Sequence, residues 1–214
     1  RHSVATSLAA EIIMAMAPHP VPAEAVTAAL LHDVGKLVLA RFLEGDLLRA
    51  LAAARAEGDR SSMQAEVDVL GVHHGQLGGL IARHWNLPDR LAEAIAHHHS
   101  PDKANDILCD TVHIANIAAR LAVGRPEDQS AADVTPMPVA VERLGLSGAF
   151  LDRLCNHVTR RLDEVHIELV TPTLLVDANP TVYHHLITRP RQCPHRLGLA
   201  ADALHQRQAA LLDR

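Results

Sequence analysis

Imidazole and carboxylate side chains recur in this sequence where helices would carry them: His2, the pair His32-Asp33, His74 and the doublet His98-His99. Imidazole and carboxylate without thiolate form the donor set of iron, manganese, nickel or zinc in a hydrolytic site. An ion held in this way lowers the pKa of a bound water from about 15.7 to about 7, so hydroxide is available at neutral pH. The expected cofactor is therefore one divalent ion or two. With two, Asp33 is the natural bridge, with histidines holding each side. Lys36, one turn further on, is placed to meet an oxygen of a small phosphate ligand; a solvated lysine at a helix end accounts for it equally well. Asp33 and Lys36 are thus the candidate catalytic pair.

Helical phase separates these histidines from the others. On a helix running from Pro88 to His99, His98 shares a face with Leu87, Leu91 and Ile95, and His99 lies over Ala92, Ile95 and Ala96. His97 falls in phase with Arg90 and Glu93 and should face solvent. His32 follows Ala25, Ala28 and Ala29, while His2 faces Ala5 and Ala9. Taken singly, each is explained as a core imidazole satisfied by a carbonyl or by another ring, since a buried polar group needs a partner. The set resists that account because it includes a carboxylate and a second pair borne on another helix. His19, His73, His84, His97, His113, His157, His166, His184, His185, His195 and His205 are read as structural or solvated.

The elements that must position these groups are helices. Residues 2–17 carry a stripe through Ala5, Leu8, Ala9, Ile12, Ile13 and Met16, closed by Pro18, Pro20 and Pro22. Pro22 also suits the first turn of the next helix, which runs to His32, with Gly35 expected to interrupt it and Leu37 to Leu43 to continue it. Further helices are expected over Asp46–Ala56, from a Ser61/Gln64 capping box to Leu70, and over His74–Trp85, Pro88–His99 and Asp106–Val123. Gly75, Gly78 and Gly79 permit close backbone approach by a neighbour. A polar connection follows, then helices near Val139–Leu144 and Gly148–Glu164. Ile167–Val176 reads as a short strand and Arg196–Leu212 as a final helix. The expected fold class is all-α: a helical core over 1–125, additional helices over 126–166, and a C-terminal extension over 167–214.

Composition narrows the function. Of the 214 residues 48% are hydrophobic but only 2% aromatic, so the core must be built from Ala, Leu, Val and Ile. A formal charge of −5, with one Trp, one Tyr and two Phe, offers neither the electrostatics nor the stacking that nucleic acid requires. Cys109, Cys155 and Cys193 form no Cys-x-x-Cys pair, and such sparse use suits a reducing cytosol. No apolar run approaches the length of a membrane span. The chain opens at Arg1, inside a helical pattern, and is read as a piece of a longer protein.

Leu30-Leu31-His32-Asp33-Val34-Gly35-Lys36 resembles the signature of the HD superfamily of metal-dependent phosphohydrolases. Leu70-Gly71-Val72-His73-His74, then Trp85-Asn86-Leu87-Pro88, then Ala96 to Pro101, make the chain similar in particular to the HDOD family, the HD-related output domains of bacterial signalling. The likeness covers about residues 1 to 123 and implies an HD-like helical bundle lacking its usual N-terminal half. By analogy with the HD-GYP enzymes, which cleave cyclic di-GMP with two or three metals, His2, His32, Asp33, His74, His98 and His99 take ligand positions. The last ligand Asp of those enzymes aligns with Asn116, and Asp102-Lys103-Ala104-Asn105 stands in place of Gly-Tyr-Pro. With Asn116 neutral, Asp33 is the only anionic ligand, which argues against cyclic di-GMP hydrolysis. Glu66 recurs in the family pattern as a residue behind the ligands; a surface ion pair is its plainer explanation.

The resemblance implies a cytoplasmic output module that binds a metal and acts on partner signalling domains, either in its own full-length chain or in another. The alternative is a phosphohydrolase or phosphodiesterase acting on a small phosphate ester or nucleotide.

Overall fold

The computed structural model describes residues 1–43, 45–46, 48–49, 52, 62–123, 135 and 137–164. The described helices are α1 (His2–Met16), α2 (Glu24–Leu31), α3 (Val34–Phe42), α4 (Ser62–Leu70), α5 (His74–His84), α6 (Asp89–His97), α7 (Pro101–Ala104), α8 (Ile107–Val123), α9 (Pro138–Arg143) and α10 (Gly148–Glu164). They belong to one unit, Arg1–Glu168. No strand occurs among the described residues, and no helix among them is long and apolar enough to cross a membrane. The expected strand at 167–176 and helix at 196–212 lie outside the described residues, as do Ser61 and most of 46–56.

Helix α8 is the axis of the bundle. Every residue from Leu108 to Ala119 is buried, the pattern of a helix surrounded on all sides. It packs against α1, α2, α6, α7, α9 and α10. The core is aliphatic and small, with Ala5, Ala9 and Ile13 of α1 and Ala25, Ala28 and Ala29 of α2 clustered with Val112, Ala115 and Ala118. Small side chains let the axes approach closely, which brings the helix ends and their histidines near one another.

The polar groups that α8 buries find partners on neighbouring elements. Asp110 accepts two hydrogen bonds from the Arg143 guanidinium of α9, at 2.5 and 2.7 Å. Arg143 also donates to the Pro101 carbonyl and to Asn105 Oδ1. His113 donates through Nδ1 to the His98 carbonyl at 2.8 Å and accepts from the Met137 amide through Nε2 at 3.0 Å. These bonds fasten the 137–164 helices to the bundle.

One expectation needs correction. The chain breaks between α2 and α3 at His32-Asp33, and Gly35 lies inside α3. Glycine stands there for room: a Cβ on Gly35 would lie 2.0 Å from the His74 carbonyl oxygen. The same need operates on the other side of α5, where a Cβ on Gly79 would meet the Ala96 Cβ at 2.7 Å. Asp33, the residue before α3, has φ −96° and ψ 9° and makes no side-chain capping bond, which leaves its carboxylate to face the interior.

Candidate metal centre

The groups singled out in the sequence sit at helix ends that meet in one place. His2 is the first residue of α1, His32 and Asp33 form the α2–α3 junction, and His74 opens α5. His98 caps the C-terminus of α6 and His99 follows it. Asn116 comes from the middle of α8. His74 is set by a local device: His73 caps α5, accepting from the Gln76 amide, while the Gln76 side chain accepts from the His73 amide. Gly71, at φ +75°, turns the chain out of α4 just before it.

Two triads of ligand atoms result, His74 with His98 and His99, and His2 with His32 and Asp33, the atoms of each within 4.8 Å of one another. In the first, His74 Nε2 lies 2.9 Å from His99 Nε2 and 3.3 Å from His98 Nε2. In the second, His2 Nε2 lies 3.3 Å from His32 Nε2, with Asn116 Oδ1 at 3.0 Å. The Asp33 carboxylate stands between them. Its Oδ1 is 3.2 Å from His74 Nε2, and its Oδ2 is 3.5 Å from His32 Nε2 and 3.8 Å from His2 Nε2. Lys36 donates to the same Oδ2 at 2.9 Å.

The outer hydrogen bonds decide which nitrogens face inward with lone pairs. A carbonyl only accepts, so His32 Nδ1 donates to Ala29 O and His98 Nδ1 to Ile95 O, both at 2.7 Å. His74 Nδ1 donates to Glu66 Oε2 at 2.6 Å. Neutral imidazoles protonated at Nδ1 present bare Nε2 atoms. His74 and His98 therefore direct lone pairs at each other, and Asp33 Oδ1, buried, has no hydrogen-bond donor. Such an arrangement of acceptors suits a cation. Ligands about 2.1 Å from one ion stand roughly 3.0–3.4 Å apart, close to the 2.9–3.3 Å spacings of the His74 group with Asp33 Oδ1, whereas Asp33 Oδ2 lies farther from His32 and His2, at 3.5 and 3.8 Å. The donor set is compatible with a divalent metal, and Nδ1 anchoring by carboxylate or carbonyl is the usual support for a metal-binding histidine.

Burial keeps the imidazoles neutral. It lowers His2 from 6.5 to about 3 against the pull of Asp33, and lowers His32, His74, His98 and His99 as well. Burial alone would raise the Asp33 carboxyl, but the Lys36 ammonium beside it holds it well below the ordinary carboxylate value. Burial pushes Glu66 up to about 7, opposed by the His74 amide that donates to it at 2.7 Å.

Glu66 is fully buried behind His74, so the surface ion pair offered for it from the sequence is incorrect. The signal is its position on the inner face of α4, beside Ala65 and one turn before Leu70, all three buried. Two contributors lie outside the residues singled out by motif. Arg120, one turn beyond Asn116, donates to Asn116 Oδ1 at 3.4 Å. His113 supports the His98 backbone and belongs to no motif that would mark it.

Residues 1–101 match the family model of the HDOD domain. In solved structures, the fold is similar to that of a candidate signal transduction protein of Marinobacter aquaeolei VT8, with a TM-score of 0.61 at 23% identity, over 76% of this chain and 36% of that one. It is also similar to an HDOD domain protein of unknown function from Geobacter sulfurreducens, with a TM-score of 0.58 at 21% identity, over 76% and 58% of the two chains. At these identities the likeness is one of fold. Ribonuclease Y of Thermus thermophilus is 31% identical over 122 residues, 55% of this chain and 21% of that protein. The chain spans about a fifth of the length of the curated relatives it matches. The family match contains His2, His32, Asp33, His74, His98 and His99, and residues 1–101 of this chain belong to the HDOD domain family.

Proposed function

We propose that the chain is an HDOD signal-transduction module of the bacterial cytosol that holds a divalent metal at the His/Asp cluster. It acts by presenting a metal-fastened helical bundle to partner signalling domains, in its own full-length chain or in another. The observation that carries the metal is the inward set of lone pairs: His74 Nε2, His98 Nε2 and the donorless Asp33 Oδ1, all buried and none of the three carrying a proton. An ion there would tie α3, α5 and α6 together, elements that otherwise meet through small residues. Free Cys109 and Cys155 agree with a reducing compartment.

Regulation is favoured over turnover because, among the described residues, Asp33 is the only carboxylate that faces the inner nitrogens, Glu66 lying behind His74, and Lys36 already neutralises one of its oxygens. A second reading, a metal-dependent phosphohydrolase, draws on the same geometry: a bound ion supplies hydroxide near neutral pH, and Lys36, about one-third exposed, lies beside it to face a phosphate. Elemental analysis of protein purified without an affinity tag that binds metals, followed by a phosphatase and phosphodiesterase screen with Mn²⁺ and Fe²⁺, separates the two. The module predicts bound metal and no turnover. Turnover that disappears in Asp33→Ala while the helical circular dichroism persists would replace it with the hydrolase; wild-type protein that retains no metal would sink both.

A further inference from the structure

The two triads differ in a way that bears on how many ions the chain holds. The first is short of positive charge, and a proton on His99 Nε2, 2.9 Å from His74 Nε2, still leaves Asp33 Oδ1 without a donor. His74 and His98 are both committed at Nδ1, their Nε2 atoms face each other at 3.3 Å, and Asp33 Oδ1 beside them receives no hydrogen bond. His74 and His98 are wholly buried, so bulk water does not make up the deficit.

The second triad is already satisfied by groups of the chain. Lys36 donates to Asp33 Oδ2 at 2.9 Å, supplying a full positive charge to the oxygen this triad would offer a metal. A proton on His2 Nε2 faces Asn116 Oδ1 at 3.0 Å and His32 Nε2 at 3.3 Å, both acceptors. Asn116 itself is neutral, and its Oδ1 also accepts from the Arg120 guanidinium at 3.4 Å, so this oxygen is already taken. Two divalent ions would bring four positive charges beside Lys36, against one anionic ligand and the carboxylate of Glu66 behind it. One ion leaves the cluster close to balance.

We propose that Lys36 takes the place of a second metal: its ammonium holds the Oδ2 end of the Asp33 bridge, and the chain binds one divalent ion, at His74, His98, His99 and Asp33 Oδ1. Lys36 is then a selectivity residue for metal number, and Asp33 bridges an ion and an ammonium. The inference rests on the metal reading above and goes further by assigning the stoichiometry and the residue that sets it.

Metal counting tests it without any activity. Protein stripped with chelator and dialysed is titrated with Mn²⁺ by isothermal calorimetry, and the bound ion is measured by plasma mass spectrometry. Wild type is expected to take one Mn²⁺ per chain. Lys36→Met and Lys36→Gln should each take two, the second binding at least roughly tenfold more tightly than any second ion in wild type, since a like charge within a few ångströms has been removed. Lys36→Arg should return to one. The partial exposure of Lys36 makes these exchanges tolerable to the fold, and two neutral variants guard against a misfolded one. Two ions in wild type, or one in both neutral variants, overturns the proposal while leaving the metal reading intact. No ion in wild type overturns that reading and this proposal together.

Discussion

Gly35→Ala probes the link between packing and site. A Cβ built on Gly35 lies 2.0 Å from the His74 carbonyl oxygen, 2.8 Å from its carbon and 2.9 Å from the Gly78 nitrogen. All three are backbone atoms of α5, so no side chain can rotate out of the way. Ordinary contact begins at 3.4 Å, and α3 and α5 must separate by about 1.4 Å to reach it. Overpacking of this kind costs roughly 1–3 kcal/mol, and an obstacle made of backbone places the cost at the upper end. At about 2–4 °C per kcal/mol for a domain of this size, a loss of about 3 kcal/mol lowers Tm by about 6–12 °C. Helix propensity alone predicts the opposite sign, since alanine in a helix interior is favoured over glycine by about 1 kcal/mol. The separation also draws Asp33, two residues away, from His74, now 3.2 Å from it. Retained metal should therefore fall together with stability. Calorimetric melting of wild type and variant, with metal content measured on the same samples, decides the matter. An alanine variant melting at or above the wild-type temperature, with its metal retained, would show that the α3–α5 contact has been misread.

Glu66→Gln keeps the shape behind His74 but removes the charge that fixes its tautomer, and Mn²⁺ affinity by calorimetry should weaken about 10–100-fold with little change in helicity. Arg143→Met leaves Asp110 buried without its partner; breaking such a pair costs about 3–5 kcal/mol, to be read as a lower midpoint in urea, whereas the double change with Asp110→Leu should recover much of it. Burial depresses His2, His32, His74, His98, His99 and His113, so the unfolded chain takes up protons below about pH 6.5 that the folded one refuses. Stability is full above that pH and falls as pH drops from 6.5 toward the folded values, about 3 for His2. Urea midpoints flat between about pH 7 and 5 would contradict it.

Much of the helix pattern was legible because it depends on periodicity and on local breakers. The stripe from Ala5 to Met16 ends at proline, Gly71 sits at positive φ after α4, and Asn86, at φ 58°, follows α5. The α2–α3 break falls earlier than propensity predicts, because the reason for Gly35 lies across the interface, in the His74 carbonyl. Glu66 departs from expectation on the same ground: an acid one turn before a leucine reads as surface until its partner, His74, is seen to face it.

The residue types, the spacing of the histidines along apolar helical faces and the all-helical class were matters of sequence alone, since these follow from side-chain chemistry and the helical repeat. Only the folded bundle decided that two triads meet across Asp33, that Lys36 sits on one oxygen while the other has no donor, and that Glu66, Arg120 and His113 stand behind the ligands. Those relations join residues up to 114 positions apart, His2 to Asn116. They are set by how closely alanine and glycine allow helix axes to approach, a property of packed surfaces that no single segment carries.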